Sequence, residues 1–306
     1  MNRFFLVISL CLSSTFALSD TLETNLELAN KAVQSENYTE AVKLFSLLAE
    51  DGNAYAQYSL ALLYYYGNGV SENDELAAKW FRLAAEQGYP DAQLRLSRLY
   101  YSGQGVTKDI NEGLKWNKLA AEQGYPKAQA LLASVYFLGI GVSQDKNEAV
   151  KWFKLAAEQG DSDAQTSLAR MYYSGDILSQ DYKEAVKWSK LAAEQGDSDA
   201  QLLLGVMYLK GQGVVQDYKE AAKLVKLASE QGSPIAQMLL GGLYADGVGL
   251  SEDLIYAHMW SNIAGSNGQS KGIETRDSVA NRMTKKQIIQ AQKLAKKCVA
   301  KKYKSC

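Results

Sequence analysis

The amino-acid sequence predicts an all-α fold, a right-handed superhelical α-solenoid of helix-turn-helix repeats with about sixteen helices. Three recurrences carry that prediction. Glycine returns every 36 residues, at Gly52, Gly88, Gly124, Gly160, Gly196, Gly232 and Gly268. Ala-Ala-Glu-Gln precedes four of these glycines, at Ala84 to Gln87, Ala120 to Gln123, Ala156 to Gln159 and Ala192 to Gln195. Asp-x-x-Glu recurs about one helix earlier, as Asp109 with Glu112, Asp145 with Glu148, Asp181 with Glu184 and Asp217 with Glu220. A period of this length marks a stack of hairpins, each too small to bury its apolar face alone.

From the N-terminus, Arg3, the apolar run Phe4 to Leu12 and the small residues around Ala17-Leu18-Ser19 have the order of a secretory signal peptide over residues 1–19. The run is too short to cross a bilayer. Bulky Leu10 before Cys11 argues against a lipoprotein. Residues 20–51 read as a capping hairpin, with helices over 21–34 and 38–50. Six 36-residue units then fill residues 52–267.

In each unit the first helix opens near Ala-Gln, as at Ala56-Gln57, Ala92-Gln93 and Ala128-Gln129. Its apolar spacing is helical, as in Ala92, Leu96 and Leu99. Pro90, Pro126 and Pro234 suit a first turn, where the N–H has no partner to lose. A Gly-x-Gly-Val loop follows in most units, as at Gly103 to Val106. The Asp then caps the second helix, and its Glu is expected to reach back and close a capping box. Trp80, Trp116, Trp152, Trp188 and Trp260 recur on the second helix and are expected to fill the space between layers; Leu224 replaces tryptophan in the fifth unit. The glycine after Gln suits a left-handed cap. Residues 268–306 form a basic helical cap, with one helix near 273–282 and another opened by the capping-box pair Thr284 and Gln287.

Signal cleavage would leave Cys298 and Cys306, which in an oxidising compartment point to a disulfide, with a free thiol pair as the alternative. In an unbroken helix residues eight apart stand about 12 Å apart along the axis. A bridge needs Cα atoms within about 7 Å. The helix must therefore end between them, and residues 301–305 must fold back.

The 36-residue unit, its Ala-Gln start, Gly-x-Gly-Val loop, tryptophan and Ala-Ala-Glu-Gln-Gly ending resemble the Sel-one-like repeat family, a relative of tetratricopeptide repeats. The resemblance covers residues 52–267 and, more loosely, 21–51. The helix after Met283-Thr284 and its Cys–Cys tail are similar to the C-termini of exported bacterial members. The resemblance implies an adaptor that binds protein or peptide partners, in the periplasm or secreted from a Gram-negative cell. Ile177, where the second loop glycine falls elsewhere, and Leu224 depart from the pattern.

Candidate contact residues are those the repeat leaves free on the first helices, expected to line a concave face: Tyr58, Leu62, Tyr66, Arg95, Arg98, Leu131, Ser134, Arg170, Val206 and Lys210. Leu94 and Thr166 share that arc, while Tyr65, Tyr101, Phe137 and Tyr173 form a column expected in the core. Aromatics and arginines at such positions are what binding hot spots are made of.

Catalysis finds little footing. His258 is the single histidine, with no zinc motif around it and no nucleophile elbow to serve. Some cysteine-rich exported relatives are linked to penicillin binding or hydrolysis, and Ser143-Gln144-Asp145-Lys146 matches Ser-x-x-Lys. It falls in an inter-helix loop, though, without Ser-Asp-Asn or Lys-Thr-Gly. A cell-envelope or β-lactamase-like enzyme and a non-catalytic peptidoglycan-binding component are thus the alternatives to an adaptor. No cofactor and no metal are expected.

Residues 271–306 carry 11 Lys or Arg against 2 Asp or Glu, whereas 20–270 carry 21 against 32. The basic end can touch anionic lipid, peptidoglycan or an acidic partner, or it can dock on the acidic array. Nucleic acid is not an expected partner of an exported chain, and no later segment is apolar enough to span a membrane.

Overall fold

A computed structural model describes residues 23–304 and 306. The expected signal peptide, Cys11 and Thr21 lie outside them. Among the described residues there are sixteen helices and no strand. They form two compact units, one ending at Asp145 and one running from Lys146 to Cys306. Each is an all-α stack of helical hairpins.

The first unit comprises α1 (residues 23–34), α2 (Tyr38–Glu50), α3 (Ala54–Tyr66), α4 (Asp74–Glu86), α5 (Pro90–Ser102), α6 (Ile110–Glu122) and α7 (Pro126–Leu138). Each helix from α2 onward packs on the next. Alanines at the crossings, Ala41, Ala56, Ala77, Ala92 and Ala128 among them, are fully buried and let the backbones approach. Phe45 and Leu60 fill one core cluster, and Phe81, Leu96 and Trp116 the next; Trp80 is half-buried and packs against both. It fills the space between layers, as its recurrence implied.

The second unit comprises α8 (Lys146–Glu158), α9 (Ser162–Ser174), α10 (Tyr182–Glu194), α11 (Ser198–Lys210), α12 (Tyr218–Glu230), α13 (Pro234–Asp246), α14 (Leu254–Ser266), α15 (Ser270–Ala280) and α16 (Lys285–Ala300). At its end Leu240, Met259, Trp260 and Ile263 pack with Ala295 and Cys298 of α16. Trp188 is buried like Trp260, and Trp152 is half-buried.

The recurring motifs have local causes. Gly88 follows the last turn of α4 with φ +86°, its N–H donating to the Ala85 carbonyl while Tyr89 N–H donates to Ala84. That paired return satisfies two carbonyls a helix end leaves bare, and only glycine takes the left-handed conformation cheaply. The second loop glycine meets a different demand. A Cβ on Gly105 would collide with the Asp74 carbonyl, because the loop lies on the start of the preceding second helix. At Ile177 the side chain forbids that geometry, so the backbone there does not take positive φ.

Asp109, Asp181, Asp217 and Asp253 each accept two backbone N–H bonds at the start of a second helix. The expected back-reach of Glu is not made at Asp109 or Asp181. The N–H of Asp109 already donates to the Tyr100 carbonyl and that of Asp181 to Tyr172. Glu112 and Glu184 turn instead to Lys115 and Lys187. A complete capping box is found where it was expected on α16, between Thr284 and Gln287.

Candidate functional site

The Ala-Gln and Glu-Gln-Gly motifs meet in a ladder that runs through each unit. Gln93 is buried; its amide donates to the Ala85 carbonyl at 3.1 Å, and its oxygen accepts from Gln123 at 2.8 Å. Gln57 and Gln87 repeat the arrangement in the first unit, as do Gln165 with Gln195 and Gln201 with Gln231 in the second. A buried amide without partners is costly. Each layer thus supplies what the previous layer's glutamine needs, and this fixes the register of the first helices that carry the candidate residues.

On the first unit those helices assemble an aromatic patch. Tyr58 of α3 packs on Phe81 with ring centroids 5.7 Å apart and on Tyr89 at 5.1 Å. Tyr55 stands edge-on to Tyr89 at 6.5 Å and donates its hydroxyl hydrogen to Asn30 at 2.6 Å. Tyr66 is 54% exposed and meets Tyr65 at 5.0 Å. Arg95 of α5 is half-buried and lies near enough to Tyr58 and Tyr66 for its guanidinium to interact with both phenols. Tyr125 donates to the Asp91 carboxylate. Beside the rings lies an open cavity of about 300 Å³ walled by Val33, Phe45, Tyr55, Tyr58, Leu62 and Tyr66.

Burial pushes the Tyr89 phenol up to about 12, with Asp91 adding to it. Tyr58 rises for the same two reasons, although Arg95 opposes the rise, and Tyr125 rises through burial and its bond to Asp91. Burial lowers Arg95, but its interactions with Tyr58 and Tyr66 outweigh that and raise it on balance. At neutral pH Tyr58, Tyr89 and Tyr125 are therefore intact phenols, with Arg95 a cation among them. Rings and a guanidinium arranged in this way can hold an apolar side chain and its polar neighbours.

The structure brings together Tyr58, Leu62, Tyr66 and Arg95 of the expected contact set. The others are differently engaged. Arg98 is exposed, and Leu131 is half-buried on α7. The Ser134 hydroxyl donates back to its own helix, to Ala130 at 3.0 Å. In the second unit Arg170 pairs with Asp199 at 2.8 Å, Lys210 donates to the Tyr173 hydroxyl at 3.3 Å, and Val206 is half-buried. Leu94 and Thr166 are buried, which removes them from any contact surface. The column Tyr65, Tyr101, Phe137 and Tyr173 is half-buried rather than core, with Tyr65 reaching Gln104 and Tyr173 reaching Gln212 in the following loop.

Sequence reasoning passed over Tyr89, Tyr125 and Asp91. A signal was present. Tyr89 and Tyr125 stand immediately before a first helix, where Asn53, Asp161, Asp197 and Ser233 place a capping side chain. The two tyrosines make no cap bond. A local rule broken twice in neighbouring layers is a mark of function.

Elsewhere, His258 is 3% exposed and its Nδ1 has no hydrogen-bond partner; burial holds it below the usual histidine value, helped by Arg276 and opposed by Asp277. Ser143 and Lys146 are exposed. The helix end sought between the cysteines is there. α16 stops at Ala300, Lys302 and Tyr303 take positive φ, and Cys298 and Cys306 are paired with Cα atoms 5.4 Å apart. Among the described residues no helix is long and apolar enough to cross a membrane.

Stacked helical hairpins of constant length define a helical repeat protein. The Sel1 repeat model matches residues 32–53, 54–89, 90–125, 126–161, 162–197, 198–233 and 234–269, and the chain belongs to the Sel1 repeat family. It is similar to a Sel1 repeat protein from Oxalobacter formigenes, at 34% identity and a TM-score of 0.74 over 79% of this chain and 99% of that one. It is also similar to c5321, a protective antigen of uropathogenic Escherichia coli strains displaying the same repeat fold, at 31% identity and a TM-score of 0.59. That match covers 87% of this chain but only 65% of c5321. No curated protein matches the sequence. Sel1 repeat proteins are generally protein-interaction scaffolds, and the fold is typically non-catalytic.

Proposed function

We propose that this protein is an exported, non-catalytic scaffold of the cell envelope that binds a protein or peptide partner through the first helices of its first unit. The observation that carries the reading is the patch of Tyr55, Tyr58, Tyr66 and Tyr89 around Arg95. It joins rigid aromatic area to a cation beside a cavity wide enough for one large apolar side chain. The signal-like residues 1–19 and the cysteine pair support an oxidising compartment outside the cytoplasm.

Photo-crosslinking in the envelope tests it. A photoreactive residue placed at Tyr66 is expected to trap a discrete partner, and the same residue placed at Lys210 is not. Arg95→Ala combined with Tyr58→Ala should abolish the Tyr66 adduct while the thermal transition of the protein persists. Equal labelling from both positions, or an adduct that survives the double substitution, would place the binding surface elsewhere.

A further inference from the structure

The C-terminal helix turns an unneutralised charge outward. Eight lysines lie between Lys285 and Lys304, and no Asp or Glu follows Asp277. Among the described residues none of the eight forms an ion pair. The helix is docked on its own unit, but by Ala295 and Cys298 against the Met259–Trp260 cluster, with Ala291 buried on the same face. Electrostatic docking on the acidic repeats, one of the two roles open to this segment, is therefore not how it is held.

At about 100° per residue, Lys285, Lys286, Lys293, Lys296 and Lys297 fall within one arc roughly 120° wide, opposite the docked alanines. Ile289 stands inside that arc and is 53% exposed. Lys286, Ile289, Gln290, Lys293 and Lys297 wall a shallow groove of about 330 Å³. An aliphatic side chain surrounded by lysines on an exposed helix face is the arrangement of a helix that lies in a membrane interface, where lysines meet lipid phosphates and the apolar residue enters the headgroup–acyl boundary.

We propose that the lysine arc of α16 docks the protein on a bilayer containing anionic phospholipid. Charge alone would suit an acidic protein or a glycan equally. Ile289 argues for the bilayer over a glycan, which offers an aliphatic side chain nothing to enter, and an acidic protein as the true partner would leave the vesicles below unbound. This surface is separate from the aromatic patch, so either can fail without the other.

Co-sedimentation of the full chain with vesicles tests the proposal. One set is pure phosphatidylcholine and the other contains about a third phosphatidylglycerol. The neutral set accounts for any binding by the apolar run Phe4 to Leu12. Extra binding is expected on the anionic set and should fade in high salt. Lys286→Gln with Lys293→Gln and Lys297→Gln should lower the anionic partition coefficient by on the order of 100-fold, each lysine near such a surface contributing roughly a factor of five. The same three positions changed to Arg should retain it, and circular dichroism should show both triple variants folded. Ile289→Ser should cost several-fold more than Gln290→Ser. Equal binding to both vesicle sets, full binding by the glutamine triple variant, or indifference to Ile289→Ser would each overturn the assignment.

Discussion

The residue that precedes the first helix of each 36-residue repeat is Asn53, Tyr89 and Tyr125 in the first unit, and Asp161, Asp197 and Ser233 in the second. In the second unit Asp161, Asp197 and Ser233 each accept a backbone N–H of the helix they precede, whereas Gln269, before α15 in the terminal cap beyond the repeats, makes no such bond. In the first, two of three give up that bond, typically worth about 1 kcal/mol, and turn phenol rings toward Tyr55, Tyr58 and Asp91. Pro90 and Pro126 soften the loss, since proline at the first turn removes one of the orphan donors. The same frame thus carries the proposed recognition patch in one unit and stabilising caps in the other. The second unit goes further in that direction: its free-arc cations are engaged by Asp199 and Tyr173, and its end is closed by a helix and a cysteine pair.

If that contrast holds, core substitutions should weigh most at the closed end. Trp260 is 1% exposed, and Trp260→Ala should cost about 3–5 kcal/mol, the range for truncating a fully packed aromatic. Trp152→Ala and Trp80→Ala, at half-buried sites, should cost clearly less. Urea titrations with unchanged slope would measure the difference; three equal losses would show that the closed end is no better packed than the rest.

The cysteine pair comes next. Replacing Cys298 and Cys306 by Ser should cost about 2–3 kcal/mol by the loop-entropy model. The loss should stay local. The fold-back lays Tyr303 beside Gly232 and brings its hydroxyl within 3.3 Å of the Asn267 amide, so its release loosens α12 to α16. Hydrogen exchange should quicken there and remain unchanged in α3 and α5. Faster exchange throughout, or none anywhere, would contradict the local role.

A smaller effect follows from His258, which lies in the second unit and is the chain's one histidine. Its folded-state value is lowered, chiefly by burial. Below the ordinary histidine value of about 6.5 the unfolded chain binds a proton that the folded chain resists. The contribution is therefore fully present above that pH and shrinks as pH falls below it. His258→Gln should flatten the stability profile of the second unit between neutral pH and the onset of carboxylate titration; an unchanged slope would show that His258 titrates alike in both states.

The fold was legible because its rules are local and repeated. Period, caps and the left-handed glycines are all written within a few residues of where they act. The patch was legible only in part. A helical wheel found Tyr58, Leu62, Tyr66 and Arg95, but it also named Leu94 and Thr166, because a first helix is covered on more than one side and the wheel assumes one buried stripe. Tyr89 and Tyr125 escaped it because they precede the helix and have no place on the wheel. The glutamines were visible as motifs, yet their partners stand 8 and 30 residues away, and nothing local points to either.

The smallest expected effect discriminates most directly between the two units. Tyr89→Asn restores a capping side chain, a gain of about 1 kcal/mol. It also removes the ring that packs on Tyr58 at 5.1 Å and Tyr55 at 6.5 Å, contacts of about 0.5–1.5 kcal/mol. The two nearly cancel, so the variant should match the parent within about 0.5 kcal/mol while the photo-adduct at Tyr66 disappears. The reverse change, Asp197→Tyr, removes a cap that holds Ala200 N–H at 2.7 Å and gains no aromatic neighbours of the kind Tyr89 has. It should cost about 1 kcal/mol. Stability recovered by giving up the adduct in one unit, against stability simply lost in the other, is the outcome the contrast requires. Equal losses from both substitutions would mean that Tyr89 stabilises the first unit as Asp197 does the second, and that the broken cap marks no site.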